Sequence, residues 1–502
     1  MRDLLDGSSG ISAADVTRDD RADNVLIAAA LGLFVIHVVM AAVMGLVDDE
    51  AYYRIWSLAP SLSYYDHPPM IAWMIGAGRV LLGDTTLGVR LVAPFCYLVG
   101  ALVLWRTAAL FYGREVARTA VWILLAMPLL AVGGILMTPD LPSVLFAGLV
   151  LWALAELDHS KNANWWLAAG VFAGLGLLSK YTNLFLGATI VLWLIATPEN
   201  RRWFRFPQLW IGGFIAVLAA MPVVVWNAEH DWASFTKQFG RVGHSGTLGA
   251  PIYFVEFIGT FLALASPIIA VLAITGLARV ARSTLRNRRS GDLLLTAAIL
   301  PMLVYFAVHA LHDRVDGNWP APIYPPLAIC AALAIHAIMP EQRRKAVFAS
   351  ALAFGFLVTG AIYADALHPL PLSARMKAPT EQMHGWNELG DAIEQKRVEA
   401  GASWVATSSY ATTGQVAFAL NGRSDVAQLD QRIRYEFLPP LPPALLQKPV
   451  LYVELQRRVD LPLLKSKFRN VAEVGTLTRK NGTPAGATYR LFLASDPLAP
   501  PL

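Results

Sequence analysis

The stretch DDEAYYRIWSLAPSLSYYDHPPM, residues 48–70, sets Asp48, Asp49, Glu50, Asp66 and His67 within one short loop. Carboxylates can take a proton from a reacting hydroxyl, and an imidazole or lysine can face an anion. Further groups of both kinds recur downstream: Asp140 in MTPDLP, Lys180 in LLSKYTN, Glu229, His230 and Asp231 in NAEHDW, and His309, His312, Asp313, Arg314 and Asp316 in HALHDRVDGNWPAP. A charge in a loop is solvated by default. Asp140, flanked by prolines, could instead cap a helix, and Lys180, at the end of an apolar run, could snorkel. DHPPM resists so plain an explanation, because Pro68 and Pro69 fix the backbone that carries Asp66 and His67 and so suggest a preformed site. The loop's aromatics, Tyr52, Tyr53, Trp56, Tyr64, Tyr65 and Trp73, fit an interfacial belt better than a sugar-stacking surface.

The elements that must position these groups are membrane helices. Of 502 residues, 56% are hydrophobic and 15% charged, the composition of a polytopic membrane protein. The net charge of +5 is spread over short loops, which excludes a nucleic-acid partner. Cys96 and Cys330 sit inside apolar runs, so neither a disulfide framework nor a thiolate metal site is expected. With about 20 apolar residues per span, about eleven candidates emerge, near 24–46, 87–111, 116–136, 141–157, 165–180, 183–197, 208–227, 251–278, 292–310, 319–339 and 346–364. The first is too long for a signal h-region and is expected to be retained as a helix.

Alternate loops carry Arg114 and Arg118; Lys161; Arg201, Arg202 and Arg205; the arginines between 279 and 289; and Arg343, Arg344 and Lys345. Positive-inside insertion makes those loops cytoplasmic and puts every acid and base above on the outer side. The expected organisation is a cytoplasmic segment 1–23, a transmembrane domain 24–364 with a first outer loop at about 47–86, and an outer α/β domain 365–502. In that last part SWVATSS, VLYVEL and TYRLFLA read as strands, and 380–400 has a helical pattern. An ion-coupled or lipid transporter is the competing class, but it would place carboxylates in mid-span and show internal repeats, and neither is visible. A noncatalytic envelope scaffold would leave the acids without a purpose.

DEAYY, YYDHPPM, TPDLP, GLLSKYTN and GNWPAP, in that order, resemble the GT-C class of glycosyltransferases that use polyprenyl-phosphate sugars, in the bacterial branch related to protein O-mannosyltransferases and lipid A aminoarabinose transferases. The resemblance covers roughly 24–340, with an echo in GWNELGDAI. It implies a GT-C helical fold and a sugar donor on a polyprenyl phosphate, with no nucleotide. It also implies a base at Asp49 with Glu50 beside it, a further acid at Asp140, and Lys180 at the donor phosphate. Relatives carry an acid and a cation where this chain has Asp66 and His67.

On that resemblance Asp49 deprotonates the acceptor hydroxyl while Lys180 and His67 hold the leaving phosphate, with inversion at the anomeric carbon. Arg314 is a further candidate phosphate contact. Asp66 and Asp140 could hold a divalent cation, Mg, Mn, Ca or, with a histidine, Zn. The acceptor is expected to be lipid A, lipopolysaccharide or another envelope glycan, with a secreted protein as the alternative. The expected location is the bacterial inner membrane, among membrane lipids, with the site facing the periplasm.

Overall fold

The computed structural model describes residues 13–243, 252–338, 340–370, 378–480 and 486–502. Every apolar run expected to span is helical, and the helices form a bundle capped at one end by a small α/β domain. Among the described residues seven helices are long and apolar enough to cross a membrane, or eight if the bent pair Tyr181–Ala196 and Pro198–Arg205 counts as one. The count falls short of eleven for local reasons. The helix Arg114–Ala126 stops before Pro128, because a proline disfavours helical backbone in the residue preceding it. The 251–278 run is divided at Ser266, which has φ 71°, and Pro267 starts the second helix. Trp165–Leu177 and Ile252–Ala265 are single apolar helices too short to qualify. The first helix, Ala13–Val43, begins upstream of the apolar run, so the expected 1–23 segment is helical from Ala13 on.

Small residues let helices approach closely. Gly170 of Trp165–Leu177 and Gly212 of Pro207–Glu229 face each other so tightly that a Cβ on Gly170 would sit 2.1 Å from the Gly212 carbonyl oxygen. The bundle end remote from residue 49 holds the ion pairs Arg106–Glu156 and Arg114–Asp23, and there Asp292 accepts hydrogen bonds from Tyr112 and Ser283. Both cysteines are buried and free.

The C-terminal domain carries β1 (Trp404–Thr407), β2 (Val426–Gln428), β3 (Val450–Leu455), β4 (Phe468–Arg479) and β5 (Ala487–Pro497), in the order β2-β1-β3-β5-β4. β1 runs parallel to β2 and β3, with Trp404 opposite Val450, while β5 is antiparallel to β3 and β4. The expected runs became β1, β3 and β5, and the helical pattern became Trp386–Glu399. Apolar residues cover both faces, with Val405, Leu451 and Leu491 on one and Trp404, Tyr452 and Phe492 on the other.

The domain is seated on the 48–86 loop. Its helix Tyr410–Leu420 lies along the short helix Asp48–Trp56, and the contact is close enough that a Cβ on Gly414 would lie 2.7 Å from the Tyr52 nitrogen. Gln415 donates to the Leu46 carbonyl at 2.9 Å and to Asp48 Oδ1 at 3.0 Å. Gly414→Val is therefore expected to lift the domain, with the ~1–3 kcal/mol loss usual for overpacking. Thermal unfolding in detergent and protease release of the C-terminal domain report it, both shifting relative to wild type.

Candidate active site

The acids of the 48–50 triplet begin a helix, where the N-terminal dipole favours negative charge. Their environments differ sharply. Glu50 is fully buried; Arg90 donates to its Oε1 at 2.8 Å and its Oε2 at 2.5 Å. The same carboxylate accepts the Val47 and Met137 backbone N–H groups at 3.1 and 2.9 Å, and Arg90 also binds the Met44 and Gly45 carbonyls. Glu50, expected among the catalytic acids, is thus a closed structural ion pair with both oxygens engaged. It lies in the first turn of the helix Asp48–Trp56, next to Asp49. Asp48 is held by Gln415, and burial raises its carboxyl against that hydrogen bond and the charges of Arg479 and Arg458.

Asp49 faces a cavity and hydrogen-bonds with Tyr410. Burial, Asp48, and more weakly Asp140 and Asp66 push its carboxyl up to about 6. Among the described residues Asp49 is in no side-chain ion pair, and none of the main groups acting on it is a cation. Tyr410 belongs to the C-terminal domain, which thereby supplies part of the site.

Asp140 and Lys180 meet: Lys180 Nζ lies 2.5 Å from Asp140 Oδ1, and Asn318 Nδ2 donates to Oδ2 at 2.7 Å. The helix cap at this point is Pro139, without a side-chain hydrogen bond, so Asp140 does not serve as the cap. Lys180 is 8% exposed and turned inward, which excludes snorkelling. Asp66 is clasped by Lys237 and Arg434 and accepts the Tyr52 hydroxyl at 2.8 Å. Burial alone would raise it, but those two cations outweigh burial and hold Asp66 below the usual carboxylate range. In the DHPPM segment the His67 carbonyl accepts the Tyr64 N–H at 3.2 Å, and the Met70 N–H donates to the Leu178 carbonyl at 3.0 Å.

Two expected phosphate contacts change. Burial, reinforced by Lys180, lowers the His67 imidazole to about 4, so it is neutral at physiological pH and is no cation for a phosphate. Arg314 is exposed at the surface, 3.5 Å from Glu256, and does not line the cavity. The loop aromatics are not a belt either. Tyr52, Tyr53, Trp56 and Tyr64 are buried against Tyr435 and Phe437 of the C-terminal domain, with Trp56 and Tyr64 stacked at 4.3 Å. Only Trp73 and Tyr65 of that set are less than fully buried. Trp319 lies in the turn before the short helical segment Ala321–Ile323, beside Phe306 and His309.

The cavity, about 800 Å³, is overwhelmingly apolar. Asp49, Thr138, Asp140, Asn318 and Gln382 mark its polar end, and Val103, Leu104, Thr107, Leu124, Leu151 and Ile329 line it deeper in the bundle. From Cys96 to Thr107 its wall follows one helix for roughly 16 Å, at 1.5 Å per residue. Among the described residues no group of three or more His, Cys, Asp and Glu could hold a metal. Asp66 and Asp140, the expected ligands, are each neutralised by side-chain cations, a donor set that does not fit a divalent ion, and no step is derived through one.

Lys237, Arg434, Asn318 and Tyr410 escaped the sequence. Asn318 stands inside GNWPAP, where attention falls on Trp319 and Pro320, and Lys237 is visible only as one more outer-loop cation. Arg434 and Tyr410 carry no local signal.

The family described as dolichyl-phosphate-mannose-protein mannosyltransferase matches residues 66–226. The lipid A galacturonosyltransferase RgtD of Rhizobium johnstonii is 28% identical over 61% of this chain and 64% of its own length. The undecaprenyl phosphate-alpha-4-amino-4-deoxy-L-arabinose arabinosyl transferase of Erwinia tasmaniensis is 26% identical over 60% of this chain and 55% of its own. The chain therefore matches less than two thirds of either relative. The structure of ArnT from Cupriavidus metallidurans, solved with undecaprenyl phosphate, superposes over 93% of this chain and 97% of that one, with a TM-score of 0.63 at 15% identity. The arabinofuranosyltransferase AftD from Mycobacteria superposes over 93% of this chain and 41% of its own, at TM-score 0.52 and 16% identity. The fold is that of a polytopic membrane protein with a C-terminal α/β domain. The family match, the two relatives and the superposition together support a GT-C glycosyltransferase.

Replacing Arg90 by Met leaves Glu50 buried and unpaired, a change that typically costs about 3–5 kcal/mol. A large drop in the melting temperature of the purified protein is expected, and an unchanged melting curve would show that Glu50 is not locked.

Proposed function

We propose that this protein transfers a sugar from a polyprenyl-phosphate donor to a hydroxyl of a lipid A-type glycolipid, at the outer face of the bacterial inner membrane. The observation that carries this reading is an apolar cavity whose polar end holds a cation-paired acid, Asp140 with Lys180, beside a cation-free acid, Asp49. The cavity suits an isoprenoid tail, and the Lys180 ammonium with the Asn318 amide suits the phosphate where tail and sugar join. The named relatives, which act on lipid A or use undecaprenyl phosphate, support the choice of donor and acceptor class.

In the proposed step the acceptor oxygen attacks the anomeric carbon and its proton passes to Asp49. The bond from that carbon to the phosphate oxygen breaks, and polyprenyl phosphate leaves with the electron pair. Attack opposite the leaving group inverts the centre. A carboxyl at about 6 is a better base than one at the ordinary value near 4, yet still ionised at neutral pH. Lys180 meets the charge that develops on the leaving oxygen. His67, neutral beside it, adds no competing cation.

Asp49→Asn should lower turnover by about 10²–10⁴-fold while leaving donor binding in place; full turnover would remove Asp49 as base. Since the reaction needs Asp49 ionised, kcat/KM in wild type should fall as pH drops through about 6, and a flat profile down to pH 5 would contradict the assignment. Lys180→Ala should weaken binding of polyprenyl phosphate, measured by inhibition of transfer. Mass spectrometry of lipid A from a strain lacking the gene tests the acceptor: loss of one sugar is expected, and an unchanged lipid A with an altered secreted glycoprotein would replace it by a protein acceptor.

A further inference from the structure

We infer that Glu454 is a positioning residue for the transfer step, fixing the turn Ser408–Ser409 so that the Tyr410 hydroxyl is delivered to the Asp49 carboxylate; this rests on the transferase reading above. Glu454 stands on β3, fully buried inside the C-terminal domain. Among the described residues it is met by hydrogen-bond donors and by no ion-pair partner. Its Oε2 accepts the Ser408 and Ser409 N–H groups at 3.0 and 2.8 Å. Its Oε1 accepts the Ser409 and Thr412 hydroxyls at 3.0 and 2.5 Å and the Leu455 N–H at 2.9 Å. A carboxylate without a countercharge is costly to bury. Helix capping does not require it, because Ser409 caps Tyr410–Leu420 with its own hydroxyl, which accepts the Thr412 N–H at 3.3 Å. What Glu454 adds is a fixed orientation for the two backbone units between β1 and that helix.

Tyr410 is the first residue after that turn, and its hydrogen bond with Asp49 crosses from the C-terminal domain to the helix Asp48–Trp56. The ring is held in place, 5.1 Å from the Tyr52 ring and 5.3 Å from the Arg434 guanidinium. One turn on, Gly414 presses against the Tyr52 backbone. Hydrogen bonds weaken steeply with misalignment, so a small rotation of the first turn would move the hydroxyl off Asp49. The groups that face Asp49 are Asp48 and Tyr53 on its own helix, Asp66 on the outer loop, Asp140 at the start of its helix, and Tyr410. The three other aspartates raise its carboxyl, and the Tyr410 hydroxyl lowers it. Tyr410 thus keeps the base ionised against the repulsion of the neighbouring acids, and Glu454 keeps Tyr410 where it can do so.

Infrared titration of the full-length protein in detergent, with the Asp49→Asn spectrum subtracted, reads the protonated carboxyl of Asp49 without any substrate. In wild type its inflection should fall at about 6. Tyr410→Phe removes the donor and should move the inflection up by as much as about one pH unit, the size of one hydrogen bond. Glu454→Gln turns an amide N–H group toward the donors of the turn and should move it the same way, with Glu454→Asp moving it less. In the Tyr410→Phe background Glu454→Gln should add nothing. Should Glu454→Gln fail to fold, Thr412→Val, which takes one donor from the carboxylate, is read in its place. The acid limb of kcat/KM, measured with polyprenyl-phosphate sugar from a membrane extract, should follow the same shifts. A Tyr410→Phe or Glu454→Gln inflection equal to that of wild type would overturn the inference, as would a Glu454→Gln shift equally large in the Tyr410→Phe background. Inflections that move as expected while transfer ignores them would overturn the link to transfer, together with Asp49 as base, and keep the contact.

Discussion

Carboxylates gathered at the edge of a bilayer repel one another and lose hydration, and such a cluster persists only where cations are brought to it. The structure meets that constraint acid by acid. Arg90 neutralises Glu50, Lys180 neutralises Asp140, and Lys237 with Arg434 neutralise Asp66. Asp49 is in no side-chain ion pair among the described residues, and burial, with Asp48 beside it, raises its carboxyl. One physical rule thus separates Glu50, Asp140 and Asp66, which are ion-paired, from Asp49, whose carboxyl is raised. Differing environments are how sites divide roles among like groups.

Each of those cations comes from a different part of the chain, and this determines how the fold is assembled. Arg90 precedes the helix Val92–Tyr112, Lys180 follows Trp165–Leu177, Lys237 lies on Ala233–Gly243, and Arg434 belongs to the C-terminal domain. The bundle alone would leave Asp66 with half its compensation. Seating of the helix Tyr410–Leu420 on Asp48–Trp56 therefore does more than cover apolar rings: it delivers Tyr410 to Asp49 and carries the segment bearing Arg434 to Asp66.

What the sequence made legible follows from the range of each interaction. Hydropathy marks the long apolar helices, because burial in lipid acts on consecutive residues. Prolines mark the breaks and the fixed DHPPM segment, because their effect is local. Asp49, Asp66, Asp140 and Lys180 stood out as costly residues at helix ends. What stayed hidden is pairwise and distant. Nothing near residue 90 shows that its arginine crosses to Glu50, and nothing in RIRYEF shows that Arg434 reaches an acid 368 positions earlier. Arg314 misled for the same reason, since a loop cation reads alike whether it turns toward the site or toward Glu256. His67 misled because its charge depends on burial that composition does not report. The aromatic loop misled because a protein surface, the C-terminal domain, covers it where a membrane interface was expected.

The placement of the cavity adds a final constraint. Its walls are mostly apolar over the depth of several helix turns, and Asp49, Asp140 and Asn318 stand together at one end. A small polar substrate would gain nothing from the apolar length, and a purely apolar one would leave the Asp140–Lys180 pair and Asn318 without purpose. An amphiphile with its charge at one end matches both halves. Because the C-terminal domain sits over the 48–86 loop, the polar end is roofed by protein, and the apolar length connects the site to the bundle's interior. On the proposed reading a lipid-borne donor would place its reacting carbon beside Asp49 while its tail stays in an environment like that of the bilayer. The energy that would otherwise be needed to lift an isoprenoid into water is then never required.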